Sequence, residues 1–280
     1  APIFLYFHYI FHGEGSTHNL TGLNIMNRIR FILSIVLLFS QGILSAQTTE
    51  VGFLNRSISL DGVEYRYQIF VPDDYSVQKK WPVTLFLHGA GERGSDGIKQ
   101  TQVGLGKAIE LNPERWQTLA IFPQVPIGES WQGLAGDVAM LALDSIISEF
   151  SVDSNRLYLT GLSLGGNGTW YLGYHHTERF AAMLAICGFL DLGDRFPSFL
   201  PDEGDNFSTL ADELSETPVW IVHGDADVIV PVEQSRNMAA ALEAVGAEVY
   251  YTELPGVNHN SWDAAYANIG IIDWLLSQKL

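Results

Sequence analysis

Short, continuous apolar runs closed by glycine, proline or His-Gly recur along the chain: residues 83–87 (Val-Thr-Leu-Phe-Leu), 119–122, 157–160, 182–186 and 219–222. Their length and two-sided hydrophobicity predict strands buried inside a parallel sheet. Residues 64–71 instead alternate apolar and polar positions up to Pro72-Asp73-Asp74, which predicts a half-exposed edge strand, and residues 248–254 supply one more. Between the strands lie helical patterns at residues 138–150 after a cap at Asp137, 164–174, 235–245 ending at Gly246, and 264–276. This alternation predicts an α/β fold, a mostly parallel central sheet with helices on both faces, in a single domain over residues 47–280. Residues 188–217 depart from the rhythm, being rich in Asp, Pro, Gly and Phe and longer than a connection needs. Phe189, Phe196, Phe199 and Phe207 there either close over a site as a small lid or fasten the segment to the body.

The N-terminal stretch follows a different logic. Met26-Asn27-Arg28-Ile29-Arg30 is basic, residues 31–39 are apolar, and Leu44-Ser45-Ala46 is a small-residue end, so residues 26–46 read as a secretory signal peptide cleaved after Ala46. The apolar run, broken by Ser34, Ser40, Gln41 and Gly42, falls short of the roughly 20 residues that span a bilayer. Residues 1–25, ahead of the first methionine, are expected to be an upstream extension outside the fold. The expected location is therefore secreted or periplasmic, without stable membrane association after cleavage. A formal net charge of −17 disfavours nucleic acid and anionic membranes as partners and suits solubility outside the cell. Cys187, the one cysteine, follows the apolar run 183–186 and reads as a core thiol. The adjacent His175 and His176 would point about 100° apart on a helix, so no metal site is expected.

Candidate chemistry centres on Gly161-Leu162-Ser163-Leu164-Gly165, which lies between a predicted strand and a predicted helix. A chain reversing this sharply needs small neighbours and pushes the serine hydroxyl outward, the pattern of a nucleophile elbow. Such a hydroxyl is a poor nucleophile near neutral pH unless an imidazole takes its proton and a carboxylate orients the imidazole. The carboxylate is Asp225 or Asp227, both following strand 219–222, and the imidazole is His259, on the loop after the last strand. Backbone donors for a developing oxyanion are expected at Leu164 and, in the small-residue loop His88-Gly89-Ala90-Gly91-Glu92-Arg93-Gly94, at Ala90 or Gly91.

The set formed by residues 87–94, Gly161-Leu162-Ser163-Leu164-Gly165-Gly166, His223-Gly224-Asp225-Ala226-Asp227 and His259-Asn260-Ser261-Trp262 resembles the predicted-peptidase and carboxylesterase branch of the α/β-hydrolases, near dienelactone hydrolases, prolyl-oligopeptidase-like enzymes and feruloyl or acetyl-xylan esterases. The resemblance spans roughly residues 52–280. It implies the α/β-hydrolase fold, a triad of Ser163, His259 and Asp227, the last four residues after the His-Gly histidine, and no cofactor. It also matches Trp131 to a family tryptophan, which either lines the acyl or alcohol pocket or packs against the body; Gly91, Trp131 and Trp262 are the residues expected near substrate. The implied activity is that of a secreted serine carboxylesterase acting on small or polymeric esters, such as feruloyl or acetyl esters of plant polysaccharide or polyesters. The alternatives are a small serine peptidase and an inactive, carbohydrate-binding homologue.

Overall fold

The structure is a computed structural model that describes residues 50–201 and 204–280. The expectations for residues 1–25 and for a signal peptide at 26–46 fall outside these residues. Eight strands form one sheet in the order β1-β2-β4-β3-β5-β6-β7-β8. β1 (Gly52–Leu60) and β2 (Val63–Val71) make an antiparallel hairpin around Asp61-Gly62, and β2 pairs antiparallel with β4 (Leu119–Pro123). Beyond that point every pairing is parallel, through β3 (Trp81–Leu87), β5 (Val152–Leu162), β6 (Ala182–Ile186), β7 (Val219–Gly224) and β8 (Val249–Leu254).

The expected edge strand is therefore not at the edge. Only the second half of β2, Tyr67 to Phe70, is flanked by β4, so its first half is exposed and its pattern imitates an edge. The true edge is β1, whose sequence GFLNRSISL is too polar for its strand to stand out.

Strand residues alternate between two cores, as a sheet covered on both faces requires. Val83, Leu85, Leu87, Met183 and Ala185 face α2 (Leu134–Glu149), α3 (Leu164–His175), α4 (Asn206–Glu213) and α5 (Glu233–Ala244). Phe86, Leu184 and Ile186 face α1 (Gly104–Leu111), α6 (Trp262–Ala267) and α7 (Ile269–Ser277). α2 starts a turn earlier than expected, after Gly133 at φ 63°, and Asp137 sits within its first turn, where a carboxylate complements the free amides. The C-terminal helical stretch is two helices, because Asn268 leaves the helical conformation and accepts hydrogen bonds from the Gly270 and Ile271 amides to start the second.

Residues 188–217 contain α4, capped by Asp205. Phe189 is buried, and Phe199 packs edge-on against Tyr171 with ring centroids 5.4 Å apart, so these aromatics fasten the segment to the body. The C-terminal ends of the parallel strands share one edge of the sheet, where ligand sites of open α/β folds form.

Candidate active site

β5 ends at Leu162, and Ser163 takes up φ 53°, ψ −113°, a conformation that costs a non-glycine residue energy and is held by its surroundings. The Ser163 amide donates to Ile186 O at 2.9 Å, and α3 begins at the next residue. Close approach dictates the glycines. A Cβ at Gly165 would lie 1.8 Å from Leu87 O, and one at Gly161 would lie 2.2 Å from Gly165 O. The elbow is thus wedged against the end of β3, which carries the loop of residues 88–94.

Ser163 Oγ lies 2.9 Å from His259 Nε2, and His259 Nδ1 lies 2.6 Å from Asp227 Oδ2. The carboxylate fixes the tautomer: Nδ1–H donates to Asp227, which leaves the Nε2 lone pair facing the serine hydroxyl. Asp227 Oδ1 accepts the Ile229 and Val230 amides at 2.8 and 3.0 Å. Burial alone would raise the Asp227 carboxyl, but the His259 N–H and these two amides outweigh it and hold it below the ordinary carboxylate value. Asp225 plays a different part, accepting the Gly256 amide at 2.6 Å and tying the loop after β7 to the loop that carries His259.

A family model described as phospholipase/carboxylesterase matches residues 141–270, the stretch that contains Ser163, Asp227 and His259. A solved structure of a thermostable esterase is 30% identical at a TM-score of 0.71, covering 81% of this chain and 63% of its own. Acyl-protein thioesterase 1 of Neurospora crassa is 26% identical over 73% of this chain and 89% of the thioesterase. The chain has the α/β-hydrolase fold. Its similarities lie in the carboxylesterase and peptidase branch. An uncharacterized secreted protein of Arthroderma benhamiae is 28% identical over 64% of the chain, which spans only 21% of that protein's length.

In this α/β-hydrolase fold the expected oxyanion donors, Leu164 and Ala90, are the first residues of α3 and of a 3-10 turn (Ala90–Glu92), so neither amide has an acceptor within its own helix. Gly91 is exposed beside Ala90. Trp262 stands edge-on to the His259 ring, 5.5 Å between centroids. Trp131 is a correction. It has no exposed surface, donates from Nε1 to His88 O at 2.9 Å, and packs where Gly168 lets α3 approach. It braces the loop of residues 88–94 from behind and has no face to offer a substrate.

Two further histidines belong to the site's framework. His88 donates from Nδ1 to Gly89 O at 2.6 Å and accepts the Val125 amide on Nε2 at 3.0 Å. Burial, opposed by the bond to Gly89 O and aided by the Arg93 charge, brings its pKa down to about 4, so it is a neutral strut. His223 Nε2 lies 3.1 Å from both Asp227 Oδ2 and Val230 O. The carbonyl can only accept, so Nε2 carries the proton, and Ser235 Oγ–H donates to Nδ1 at 2.7 Å. The Ser235–His223 pair thus gives Asp227 a further donor from the buried side. Strand-end position alone reads both histidines as terminators; for His223 the usable signal was its four-residue spacing to Asp227.

Among the described residues, Cys187 Sγ, an Asp227 oxygen and a His259 nitrogen are the one group close enough to hold a metal, within 4.8 Å of one another. The donor chemistry fits poorly. Burial pushes the Cys187 thiol up to about 12, and Asp227 is already engaged by His259, His223 and two amides. No helix among the described residues is long and apolar enough to cross a membrane.

Proposed function

We propose that this chain is a serine esterase that works through an acyl-enzyme intermediate, with Ser163 as nucleophile, His259 as general base and acid, and Asp227 orienting His259. The observation that supports it most directly is the unbroken line from Asp227 through His259 to Ser163, at 2.6 and 2.9 Å, ending on a hydroxyl set at a strand-to-helix turn. Ser163 Oγ attacks the ester carbonyl as its proton passes to His259 Nε2, and the imidazolium is stabilised by the ionised Asp227. Negative charge on the carbonyl oxygen is met by the Leu164 and Ala90 amides, each such donor being worth about 3 kcal/mol to the transition state. His259 then protonates the leaving alcohol or thiol, and a water attacks the acyl-serine by the same route in reverse.

Substrates of this reading are carboxylic esters and thioesters, including feruloyl or acetyl esters of plant polysaccharide and polyesters, met outside the cell if residues 26–46 act as a secretion signal. A fluorophosphonate should label the protein at Ser163 and leave Ser163→Ala unlabelled, and p-nitrophenyl acetate should be turned over faster than aminoacyl anilides. Labelling that persists in Ser163→Ala would overturn the nucleophile, and preference for the anilide would make the chain a peptidase.

A further inference from the structure

Beside the oxyanion loop, two arginines converge. Arg93 closes the 3-10 turn that begins at Ala90, and its guanidinium carbon lies 5.8 Å from the centre of the Phe196 ring. Arg195 approaches the same ring at 5.3 Å. Phe196 in turn packs on Phe189 at 5.5 Å, and Phe189 O accepts the Asn167 side chain at 2.9 Å. Asn167 belongs to the first turn of α3, where its amide donates to Ser163 O at 3.0 Å. A continuous set of contacts therefore links the arginine pair to the elbow.

This concentration of positive charge is unusual for a chain with 15 basic and 32 acidic side chains. Among the described residues Arg56, Arg66, Arg179 and Arg236 each lie within 4.0 Å of a carboxylate and Arg93, Arg115, Arg156 and Arg195 do not, but of these four only Arg93 and Arg195 share one aromatic ring. The Arg93 Nε is buried and has no hydrogen-bond partner, a loss that is normally avoided because an unmet buried donor costs about 1–3 kcal/mol. The charged groups facing Arg93 are Arg195, which repels it, and Glu129, which lies beyond ion-pair distance. Two guanidiniums against one aromatic ring, neither paired with a carboxylate among the described residues, form a local positive charge that a carboxylate can neutralise.

We propose that Arg93 and Arg195 bind a carboxylate carried by the ester substrate, so that the preferred substrates are esters of carboxylate-bearing acids or alcohols. The proposal rests on the esterase reading for what the anion is attached to, but its test does not require turnover. In Ser163→Ala, monomethyl succinate and its neutral isostere methyl levulinate place the carboxylate on the acyl side. Acetoxyacetate and acetoxyacetone place it on the alcohol side. Dissociation constants from NMR titration should show the anionic member of at least one pair bound at least tenfold more tightly. Arg195→Gln, at an exposed position whose loss the fold tolerates, should cut that preference below threefold, Arg93→Gln likewise, and high salt should weaken it. Equal or undetectable binding of both members in both pairs would overturn the proposal, as would a preference unchanged in both arginine variants. Labelling of Ser163 without anion preference removes this site and keeps the esterase; anion preference without labelling does the reverse.

Discussion

The two carboxylates at the end of β7 are two residues apart and make opposite predictions. Asp227 has no exposed side-chain surface and holds the Nδ1–H of His259, whereas Asp225 is exposed and holds one backbone amide. Asp227→Asn should lower kcat by about 10⁴-fold, because the amide can present an N–H to Nδ1 and favour the tautomer that has no lone pair toward Ser163. Asp225→Asn should cost about 1 kcal/mol or less of stability and leave kcat within a few-fold. Steady-state kinetics on one chromogenic ester decides the matter, and equal losses in the two variants would remove Asp227 from the mechanism. The identity of Ser163 and His259 as the pair to examine was legible in the chain, because the elbow and the loop after the last strand have local signatures. The choice between the aspartates was not carried by spacing, since both can close the same turn, and only the resemblance favoured Asp227. Trp131 was misread because a tryptophan beside a loop has the same sequence signature whether its indole faces substrate or, as here, a buried carbonyl.

The meeting of β5, α3 and the loop after β3 is where element packing sets the chemistry. Gly165 has a backbone oxygen 1.8 Å from where its Cβ would be, whereas Gly91, in the loop of residues 88–94, has open space there and no left-handed backbone angle. Gly165→Ala must therefore push α3 away from β3, costing more than about 3 kcal/mol and displacing Ser163, while Gly91→Ala should be nearly neutral for stability. Urea unfolding of the two variants side by side tests this, and a stable, active Gly165→Ala would refute the wedge. The buried parallel strands were legible because both their faces are covered and most residues of the runs 83–87, 119–122, 157–160, 182–186 and 219–222 are apolar. β1 was hidden by Asn55, Arg56, Ser57 and Ser59, whose side chains an edge strand can leave in solvent, and α1 and α4 by their shortness and the glycine- and proline-rich residues around them. The break at Asn268 was equally hard to see, because the apolar residues on either side keep a helical spacing that one cap residue interrupts.

At the scale of the molecule, acid acts on stability through two opposed effects. With a formal net charge of −17 at pH 7, protonating carboxylates relieves self-repulsion and favours the folded state as pH falls. His88 works the other way. Its folded pKa is about 4, lowered first by burial, against 6.5 for the free side chain, so the unfolded chain binds a proton that the folded one refuses. The stability tied to the neutral ring is complete above pH 6.5 and is lost as pH falls toward 4, amounting to about 3 kcal/mol over the whole window. His223, also lowered by burial, adds to the loss in the same direction. Comparing variants separates the effects, because the charge repulsion is nearly common to both. His88→Gln keeps a donor and an acceptor for Gly89 O and the Val125 amide but does not titrate. It should be less stable than the wild type at pH 7, and the gap should narrow by about 2 kcal/mol at pH 5. Urea unfolding at the two pH values gives the four free energies, and parallel losses in both proteins would mean that His88 is protonated in the folded state and is not the neutral strut that holds the loop of residues 88–94.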